Sequence, residues 1–288
     1  MAATLEPVPS RDLQMEMYYA PGDVPGGLEF MERHTCALRW LVGMFTHWSW
    51  TPPQVASAWR FFALTRSSTL EALVCHQSWN GWWGMVCAGP EAALSAYASM
   101  ARIGPLRHLE GERGHLQAIL SIDPQLTRRL VQVERSVVLR YPTRDSKCIA
   151  PRGFRLARRQ DVRSFQDYHE ATPGHGRPPA VQELYRQVDR GAAYVLEVEG
   201  EVAALGKAVP AGSYHYIRDV FTFPQFRRQG CARRLMEGLV TVAADAGRDA
   251  CLCVAEDNKA GLQLYPHLGF RPWGDRMHLV FRTGATPR

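Results

Sequence analysis

The stretch Val-Phe-Thr-Phe-Pro-Gln-Phe-Arg-Arg-Gln-Gly-Cys-Ala-Arg-Arg, residues 220–234, says more about the fold than any other part of the chain. It opens with β-branched and aromatic residues, which predict a strand that Pro224 then ends. An Arg-x-x-Gly-x-Ala spacing follows, and from Leu235 onward apolar side chains recur with a helical period. The stretch therefore predicts a strand, a tight glycine turn and the start of a helix.

A turn of this kind is suited to binding an anion. The backbone N–H groups in the first turn of a helix have no partner within the helix and point at whatever lies at its N-terminus. Gly230 has no Cβ, so a phosphate could approach the backbone there. Four arginines add positive charge around the same point: Arg227, Arg228, Arg233 and Arg234. The alternative is an ordinary strand–turn–helix connection with a solvated arginine cluster.

A second motif follows a predicted buried strand at 250–255. Residues 256–270 read Glu-Asp-Asn-Lys-Ala-Gly-Leu-Gln-Leu-Tyr-Pro-His-Leu-Gly-Phe. The two segments resemble motifs A and B of the Gcn5-related N-acetyltransferases, the GNAT superfamily, in the family's order and at its spacing. The first segment is most similar to the FR47-like branch, and the resemblance covers nearly half of the chain. The positions that match motif B are Asn258, Gly261, Leu264, Tyr265, Gly269 and Phe270.

The resemblance implies a GNAT fold, an α/β (α+β) architecture with a mixed, mostly antiparallel central sheet flanked by helices. Three regions are predicted: a flexible arm over 1–25, a Trp-rich domain over 26–145 and a catalytic domain over 150–288. The element order of the middle region resembles a second, degenerate GNAT-like domain, because the turn after its strand at 82–87 lacks an Arg-x-x-Gly-x-Gly pattern. Its tryptophans favour a packed core or an interface, with a wall of the acceptor site as the alternative.

Patterning predicts the individual elements. In the first half these are a helix over 28–45, a hairpin of strands 70–77 and 82–87, helices over 90–101 and 116–120, and a strand over 135–141. In the second half the predicted strands are 154–158, 193–198, 202–209, 214–223, 250–255 and 276–282. The predicted helices there are 159–170, 181–188, one that ends before Gly247 and one that follows Asn258.

The cofactor implied by the resemblance is acetyl-coenzyme A or another acyl-coenzyme A. In GNAT proteins the glycine turn holds the pyrophosphate, and backbone groups of the central strand pair with the pantetheine arm. Asn258 matches a residue that contacts the cofactor, and it is also a favoured helix N-cap, so both roles can hold together. The cofactor-binding positions carried over are Val220, Phe221, Thr222, Arg227, Arg228, Gln229, Gly230, Cys231, Ala232, Arg233 and Asn258.

The implied activity is transfer of an acyl group from the coenzyme A thioester to an amine of a small-molecule or amino-acid-like acceptor. Tyr265 matches the family's general acid near the coenzyme sulfur, with an aromatic side chain packed on the sheet as the alternative. Asp219 on the central strand is the first candidate for the base, and a buried structural carboxylate is the alternative.

The base is otherwise open, because Cys253 stands where several GNAT proteins have a glutamate. Glu197, Glu256 and His215 are further candidates, and a chain of water molecules could remove the proton instead. Two other functions stay open: a non-catalytic acyl-coenzyme A sensor or scaffold, and transfer of a longer acyl group, as in glycine N-acyltransferases.

Composition excludes several classes of protein. The chain has 288 residues, 46% of them hydrophobic and 22% charged, which is ordinary for a soluble globular protein. No apolar run is long enough to span a bilayer, and the N-terminus has no secretion signal, so a cytoplasmic protein without a membrane partner is expected. The seven cysteines are scattered, which predicts reduced thiols and no metal site. Cys251 and Cys253 face one side of a strand, where buried thiols are favoured over a metal pair.

The net charge of +6 is uneven along the chain, because residues 149–288 carry 20 basic and 15 acidic side chains. A polyanionic cofactor explains this excess better than nucleic acid does, since only three of the 34 basic residues are lysines and no basic run interleaves with aromatic residues. Nucleic acid is therefore not expected as a partner. The oligomeric state is left open, a homodimer included.

Overall fold

The computed structural model describes residues 13–34, 37–38, 41–42, 56–143, 149–172 and 179–282. Its internal contacts divide the chain into two compact units. Unit 1 consists of Met1–Val138, Ala255–Asp257 and Trp273–Arg288. Unit 2 consists of Leu139–Val254 and Asn258–Pro272.

Both units contain strands and helices, whose bounds in the described residues are as follows. The strands are β1 (Leu13–Tyr18), β2 (Trp59–Arg66), β3 (Thr69–Gln77), β4 (Trp82–Cys87), β5 (His108–Glu112), β6 (Leu130–Tyr141), β7 (Phe154–Leu156), β8 (Ala193–Val198), β9 (Glu201–Ala211), β10 (Tyr214–Thr222), β11 (Asp249–Ala255) and β12 (Arg271–Phe281). The α-helices are α1 (Gly27–His34), α2 (Pro90–Ile103), α3 (Arg113–Ile122), α4 (Pro124–Arg128), α5 (Val162–Ala171), α6 (Val181–Asp189), α7 (Cys231–Asp245) and α8 (Lys259–His267).

In unit 1 the strands β1 to β4 pair antiparallel in chain order. Strand β5 pairs parallel with β4 and antiparallel with β12. The β3–β4 hairpin turns at Gly81, which has a φ of 65°, and the Asn80 side chain accepts a hydrogen bond from the Trp82 N–H at 3.0 Å. All six residues of β4 are buried, and Trp83 and Met85 lie in one core with three alanines of α2. Apolar burial of this density is the main stabilisation of the unit.

In unit 2 the strands β7 to β10 pair antiparallel in chain order, and β11 pairs parallel with β10. Leu205 of β9 belongs to an apolar cluster with Phe165 of α5 and Leu184 of α6. The next residue, Gly206, lies against the side chain of Leu239 of α7. Because neighbouring residues of a strand point to opposite faces, α5 and α6 cover one face of this sheet and α7 covers the other.

The largest difference from the sequence prediction concerns the N-terminus. A flexible arm is expected over 1–25, of which residues 1–12 lie outside the described part of the chain. Leu13–Tyr18 instead form β1, which pairs with β2 over all six residues. The side chains of Leu13 and Met15 pack on the core of unit 1. Alternating apolar and polar residues are the signal for this strand, and the prolines on either side of it obscured that signal.

Other elements differ in their bounds. Of the helix predicted over 28–45, α1 covers the part up to His34 and residues 37–38 form a turn, while residues 35–36, 39–40 and 43–45 lie outside the described part of the chain. Strands β2 and β5 were not predicted. Strand β5 contains the buried Glu110. Arg276 and the Trp82 indole donate to its carboxylate at 2.6 and 3.0 Å, which compensates the cost of burying the charge. Such a strand is hard to predict from its own sequence, since the residues that donate hydrogen bonds to its buried carboxylate lie far along the chain.

The two units also differ in outline from the predicted domains 26–145 and 150–288. Strand β12 begins at Arg271, and from Trp273 onward it belongs to unit 1, where it pairs with β5. The tryptophans Trp40, Trp48 and Trp50 of the predicted Trp-rich domain lie outside the described residues.

Candidate functional site

Unit 2 has an opening where β10 separates from β11. The parallel pairing runs only from Tyr214 with Asp249 to Ile217 with Leu252, although both strands continue further. Beyond Ile217 the β11-facing backbone groups of β10 are therefore not used by this ladder. Unused N–H and C=O groups between two parted strands can pair with an extended ligand.

A β-bulge lies at the same point of β10. Arg218 pairs with Lys207 and Phe221 with Leu205, so two residues of β10 oppose a single residue of β9. The first of the two, Asp219, has a φ of 55°, in the left-handed region that residues with a Cβ rarely adopt. The bulge shifts the alternation of side chains by one residue for the rest of the strand.

The three strand residues predicted to bind the cofactor are the second residue of the bulge and the two residues after it. The Val220 side chain lies on the α7 face, close to Gly206. The Phe221 ring packs on Tyr168 of α5, with 5.4 Å between ring centroids, and is therefore on the opposite face. The carbonyl of Thr222 accepts a hydrogen bond from Arg227 at 3.2 Å. Residues Asp219–Thr222 are only partly buried.

The turn after β10 leaves an uncapped helix N-terminus. After a 3-10 turn at Pro224–Phe226, Arg228 and Gly230 have φ values of 61° and 75°. Gly230 is the N-cap of α7, and no side chain caps the helix. The Arg234 N–H donates to the Gly230 carbonyl at 3.0 Å, so the N–H groups of 231–233 precede the intrahelical bonds. A Cβ on Gly230 would meet no heavy atom within 4 Å, so the space at the turn is open.

Side chains of the predicted loop residues partly stabilise the turn itself. Besides its bond to Thr222, Arg227 lies over the Phe221 ring, 5.7 Å from its centroid. Gln229 donates to the carbonyl of Gln225 at 2.8 Å. Arg228 is exposed. Of these three polar side chains, Arg228 is therefore the one most available to an incoming anion.

The first turn of α7 leads to a groove against α8. The Cys231 side chain is buried, so only its backbone can reach a ligand, while Ala232 is half-buried. Arg233 is exposed and pairs with Glu237 at 2.9 Å. Two cavities of about 280 and 430 Å³ share Arg233, His267 and Leu268 in their linings. The groove therefore has cationic and apolar walls beside the open turn.

Helix α8 and its N-cap place the two motif B residues that were predicted to belong to the site, Asn258 and Tyr265. The Asn258 side chain accepts a hydrogen bond from the Gly261 N–H at 2.9 Å, which confirms its role as the N-cap. Tyr265 is buried and packs edge-to-face on Phe270, with ring centroids 5.8 Å apart. Burial raises the pKa of Tyr265 to about 12, so the hydroxyl keeps its proton at neutral pH. Both interpretations of Tyr265, acid and packed aromatic, fit this environment.

Asp219 forms ion pairs with Lys207 Nζ at 2.8 Å and with Arg218 Nε at 3.3 Å. Lys207 is 5% exposed, and its Nζ lies 5.7 Å from the ring centroid of Phe165. Burial alone would raise the pKa of Asp219, but the charges of Arg218 and Lys207 outweigh it and hold the pKa well below its usual range. A carboxylate of such low basicity is a poor proton acceptor. The geometry favours the structural alternative for Asp219 over the role of base.

The other predicted carboxylates are also paired with cations. Glu197 accepts from Arg155 at 2.9 Å, and Glu256 accepts from Arg113. His215 lies in β10 and is 5% exposed. The sequence left one other alternative, in which a chain of water molecules removes the proton of the acceptor amine. These ion pairs favour that alternative over a carboxylate base.

Lys207 is the residue of this site that the sequence interpretation missed. It stands in the apolar run Ala-Ala-Leu-Gly-Lys-Ala, residues 203–208, of a strand that was correctly predicted. Lysine is almost never buried without a charged partner, so its position inside such a strand is a signal that a carboxylate lies nearby.

Two features are absent from the described residues. None of the described helices is both long and apolar enough to cross a membrane. No group of three or more His, Cys, Asp or Glu side chains in the described ranges could hold a metal ion.

Comparison with known proteins adds a family and a fold. Residues 162–270 match the model of the acetyltransferase (GNAT) family, and no curated protein matches the chain at a significant level. A Drosophila protein of known structure has a TM-score of 0.70 at 12% identity, with 95% of this chain and 99% of that chain covered. An acetyltransferase from the GNAT family of Colwellia psychrerythraea has a TM-score of 0.61 at 14% identity, covering 93% and 100%.

A tandem GNAT protein from the clavulanic acid biosynthesis pathway has a TM-score of 0.59 at 12% identity, covering 96% of this chain and all of that one. At such identities the likeness concerns the fold alone. The family match covers residues 162–270, and the predicted GNAT fold with its mixed, mostly antiparallel strands is confirmed. The FR47-like branch stays a prediction.

Proposed function

We propose that unit 2 is an acyl-coenzyme A-dependent N-acyltransferase that acts on an amine of a small-molecule or amino-acid-like acceptor. The match of residues 162–270 to the GNAT acetyltransferase family supports acyl transfer from an acyl-coenzyme A. The observation that carries the proposal is the opening of β10 from β11 directly before an uncapped helix N-terminus. An extended arm that ends in a diphosphate fits these two features together.

The diphosphate would be held by the backbone at the start of α7. The N–H groups of 231–233 are uncapped, and the open space at Gly230 admits an anion that a side chain would exclude. Arg228 adds an exposed charge at the same turn. The backbone groups of Val220–Thr222 would pair with the amide groups of the pantetheine arm, because β11 does not use them.

The adenosine end would lie in the groove between α7 and α8. Arg233 and His267 line both cavities there, which suits a phosphorylated ribose, and the apolar side chains of Met236 and Leu268 offer a surface to a base. Asn258 and Lys259 stand at the start of α8. We propose that these two residues contact the adenosine end from the α8 side of the groove.

Acetyl-coenzyme A supplies the acyl group as a thioester, which is open to attack by a neutral amine. A backbone N–H of β10 would stabilise the negative charge that develops on the carbonyl oxygen. The Tyr265 hydroxyl keeps its proton at neutral pH and would donate it to the departing sulfur. Asp219 is bound to Lys207, so the amine proton would leave through water rather than to this carboxylate.

The proposal also covers the partners and the compartment. The partner is a small-molecule amine rather than nucleic acid or a membrane, as the scarcity of lysine supports. Four of the free cysteines, Cys75, Cys87, Cys231 and Cys251, are buried as thiols, which agrees with a reducing cytoplasm. A homodimer is compatible with this proposal.

Calorimetric titration of the full chain with acetyl-coenzyme A and with desulfo-coenzyme A tests the binding. A dissociation constant below about 1 mM for acetyl-coenzyme A is expected, and no binding in that range would contradict the proposal. Release of free thiol in the presence of a broad amine panel tests the transfer. Tight binding without thiol release across the panel would favour the acyl-coenzyme A sensor. Faster release from a longer acyl-coenzyme A would identify a longer acyl group as the one transferred, and the protein would still be an N-acyltransferase.

A further inference from the structure

Three irregularities coincide in unit 2 within two residues of β10. The parallel ladder with β11 ends at Ile217, the bulge against β9 begins after Arg218, and Asp219 has a left-handed φ of 55°. A strand that stayed regular at this point could continue to pair with β11. The bulge is therefore the local cause of the opening, since bulges bend a strand and increase its twist.

A left-handed conformation needs support when the residue has a Cβ. Asp and Asn adopt it more readily than other residues with a Cβ, but it still costs free energy. Two cations support Asp219: Arg218, whose side chain is exposed, at 3.3 Å, and the buried Lys207 of the neighbouring strand, whose Nζ lies 2.8 Å from the carboxylate. The side chains of this pair are 6% and 12% exposed, so water screens their attraction little.

Lys207 is itself fixed in place. It pairs with Ala193 on one side and with Arg218 on the other, in the middle of the three-strand ladder of β8, β9 and β10. Its Nζ lies 5.7 Å from the centroid of the Phe165 ring. A cation held by two strands and a helix can position a carboxylate precisely enough to select one backbone conformation.

We infer that the Lys207–Asp219 ion pair is a lock that holds the bulge of β10 and so keeps its end apart from β11 for the acyl-coenzyme A. Both residues are positioning residues, because they act through the backbone of Val220–Thr222. This inference rests on the proposed function for the identity of the ligand. The conformation of the strand is inferred independently of the proposed function.

The inference separates two effects of mutating the pair. Removing Asp219 leaves Lys207 buried without a carboxylate, and removing Lys207 leaves Asp219 with Arg218 as its more distant cation. Either change destabilises the fold for a reason unrelated to the bulge. A test therefore removes both charges and varies only the conformational freedom at position 219. The matched variants are Lys207→Met with Asp219→Leu, and Lys207→Met with Asp219→Gly.

Leucine strongly disfavours the left-handed region, whereas glycine enters it freely. We expect the leucine variant to bind acetyl-coenzyme A about tenfold more weakly than the glycine variant does, because its bulge is no longer favoured. Thermal unfolding of both variants is the control for folding. Equal affinity of the two folded variants would overturn the lock, since the conformation at 219 would then be irrelevant.

Hydrogen exchange of the cofactor-free protein keeps the lock testable if the wild-type chain binds no acyl-coenzyme A. In that case the proposed function fails, but exchange at the amides of 218–222 still reports the strand. The leucine variant should then change exchange at these amides, and the glycine variant should resemble the wild type. Identical exchange in all three proteins would overturn the lock by itself.

Discussion

The two units share an order of elements but differ at the end of the central strand. Each has three antiparallel strands, a helix, a parallel strand and a second helix: β2, β3, β4, α2, β5 and α3 in unit 1, and β8, β9, β10, α7, β11 and α8 in unit 2. All residues of β4 are buried, whereas the last four residues of β10 are only partly buried. A shared topology therefore does not by itself produce a binding site.

Side chains and the turn account for the difference. In unit 1 the Trp82 ring lies directly against Gly84, so the space beside β4 is filled by protein. The strand is followed by Gly89, whose φ of −178° is ordinary extended backbone, and by Pro90, which has no N–H to offer an anion. In unit 2 Gly230 is left-handed, and its turn leaves N–H groups and open space.

The strongest test of this contrast is Gly230→Glu, with Gly89→Glu as the matched control. Gly230 has a positive φ, so a side chain there is strained, and a carboxylate would also repel the diphosphate. The two effects together cost about 3 kcal/mol, which weakens acetyl-coenzyme A binding by more than about a hundredfold. Calorimetric titration measures this loss, while circular dichroism checks that the fold is intact.

The control variant has the opposite expectation. Gly89 is likewise the N-cap of its helix and a Cβ there would meet no heavy atom within 4 Å, but its φ tolerates any residue. Gly89→Glu should therefore bind acetyl-coenzyme A as the wild type does. A comparable loss in both variants would mean that unit 1 takes part in binding, and the contrast between the units would be wrong.

The sequence predicted the local features of this contrast well. The glycine turn, the Asn258 N-cap and the hairpin at Asn80-Gly81 all depend on residues close together in the chain, where propensity and capping chemistry decide. The bulge at Asp219 could not be predicted, because it exists only relative to β9. Its partner Lys207 was overlooked for the same reason: the register between two strands decides which side chains meet.

Tyr265→Phe is expected to have a smaller effect, on turnover rather than on binding. The two residues differ only in the hydroxyl, so the packing on Phe270 is kept and the affinity for acetyl-coenzyme A should hold. The rate of thiol release should fall about tenfold, less than a general acid usually contributes, because a thiolate leaves readily even without a proton. The comparison requires an accepted amine. An unchanged rate would mean that Tyr265 has only a packing role, as the buried Ile119 of α3 has in unit 1.

The smallest expected effect is a difference in acid sensitivity between the units. In unit 1, burial lowers the pKa of His76 from 6.5 to about 4, helped by the charge of Arg60, and burial also lowers the pKa of His115. Each buries a ring nitrogen for which no described residue is a hydrogen-bond partner. In unit 2 the pKa of Asp161 is lowered although burial opposes it, because Arg155 donates to the carboxylate at 2.7 Å.

The signs of these shifts set two different pH windows. A histidine with a lowered pKa binds fewer protons folded than unfolded, so stability is lost as the pH falls from 6.5 toward 4. A carboxylate with a lowered pKa keeps its contribution until the pH falls below the ordinary value near 3.8. Hydrogen exchange between pH 7 and pH 4.5 should therefore show β3 and α3 losing protection before α5 does. His76→Phe should reduce the difference in pH between the loss of protection in β3 and in α5, since it keeps a ring against Trp83 and removes the site that binds the proton. An unchanged difference would exclude His76 as its cause.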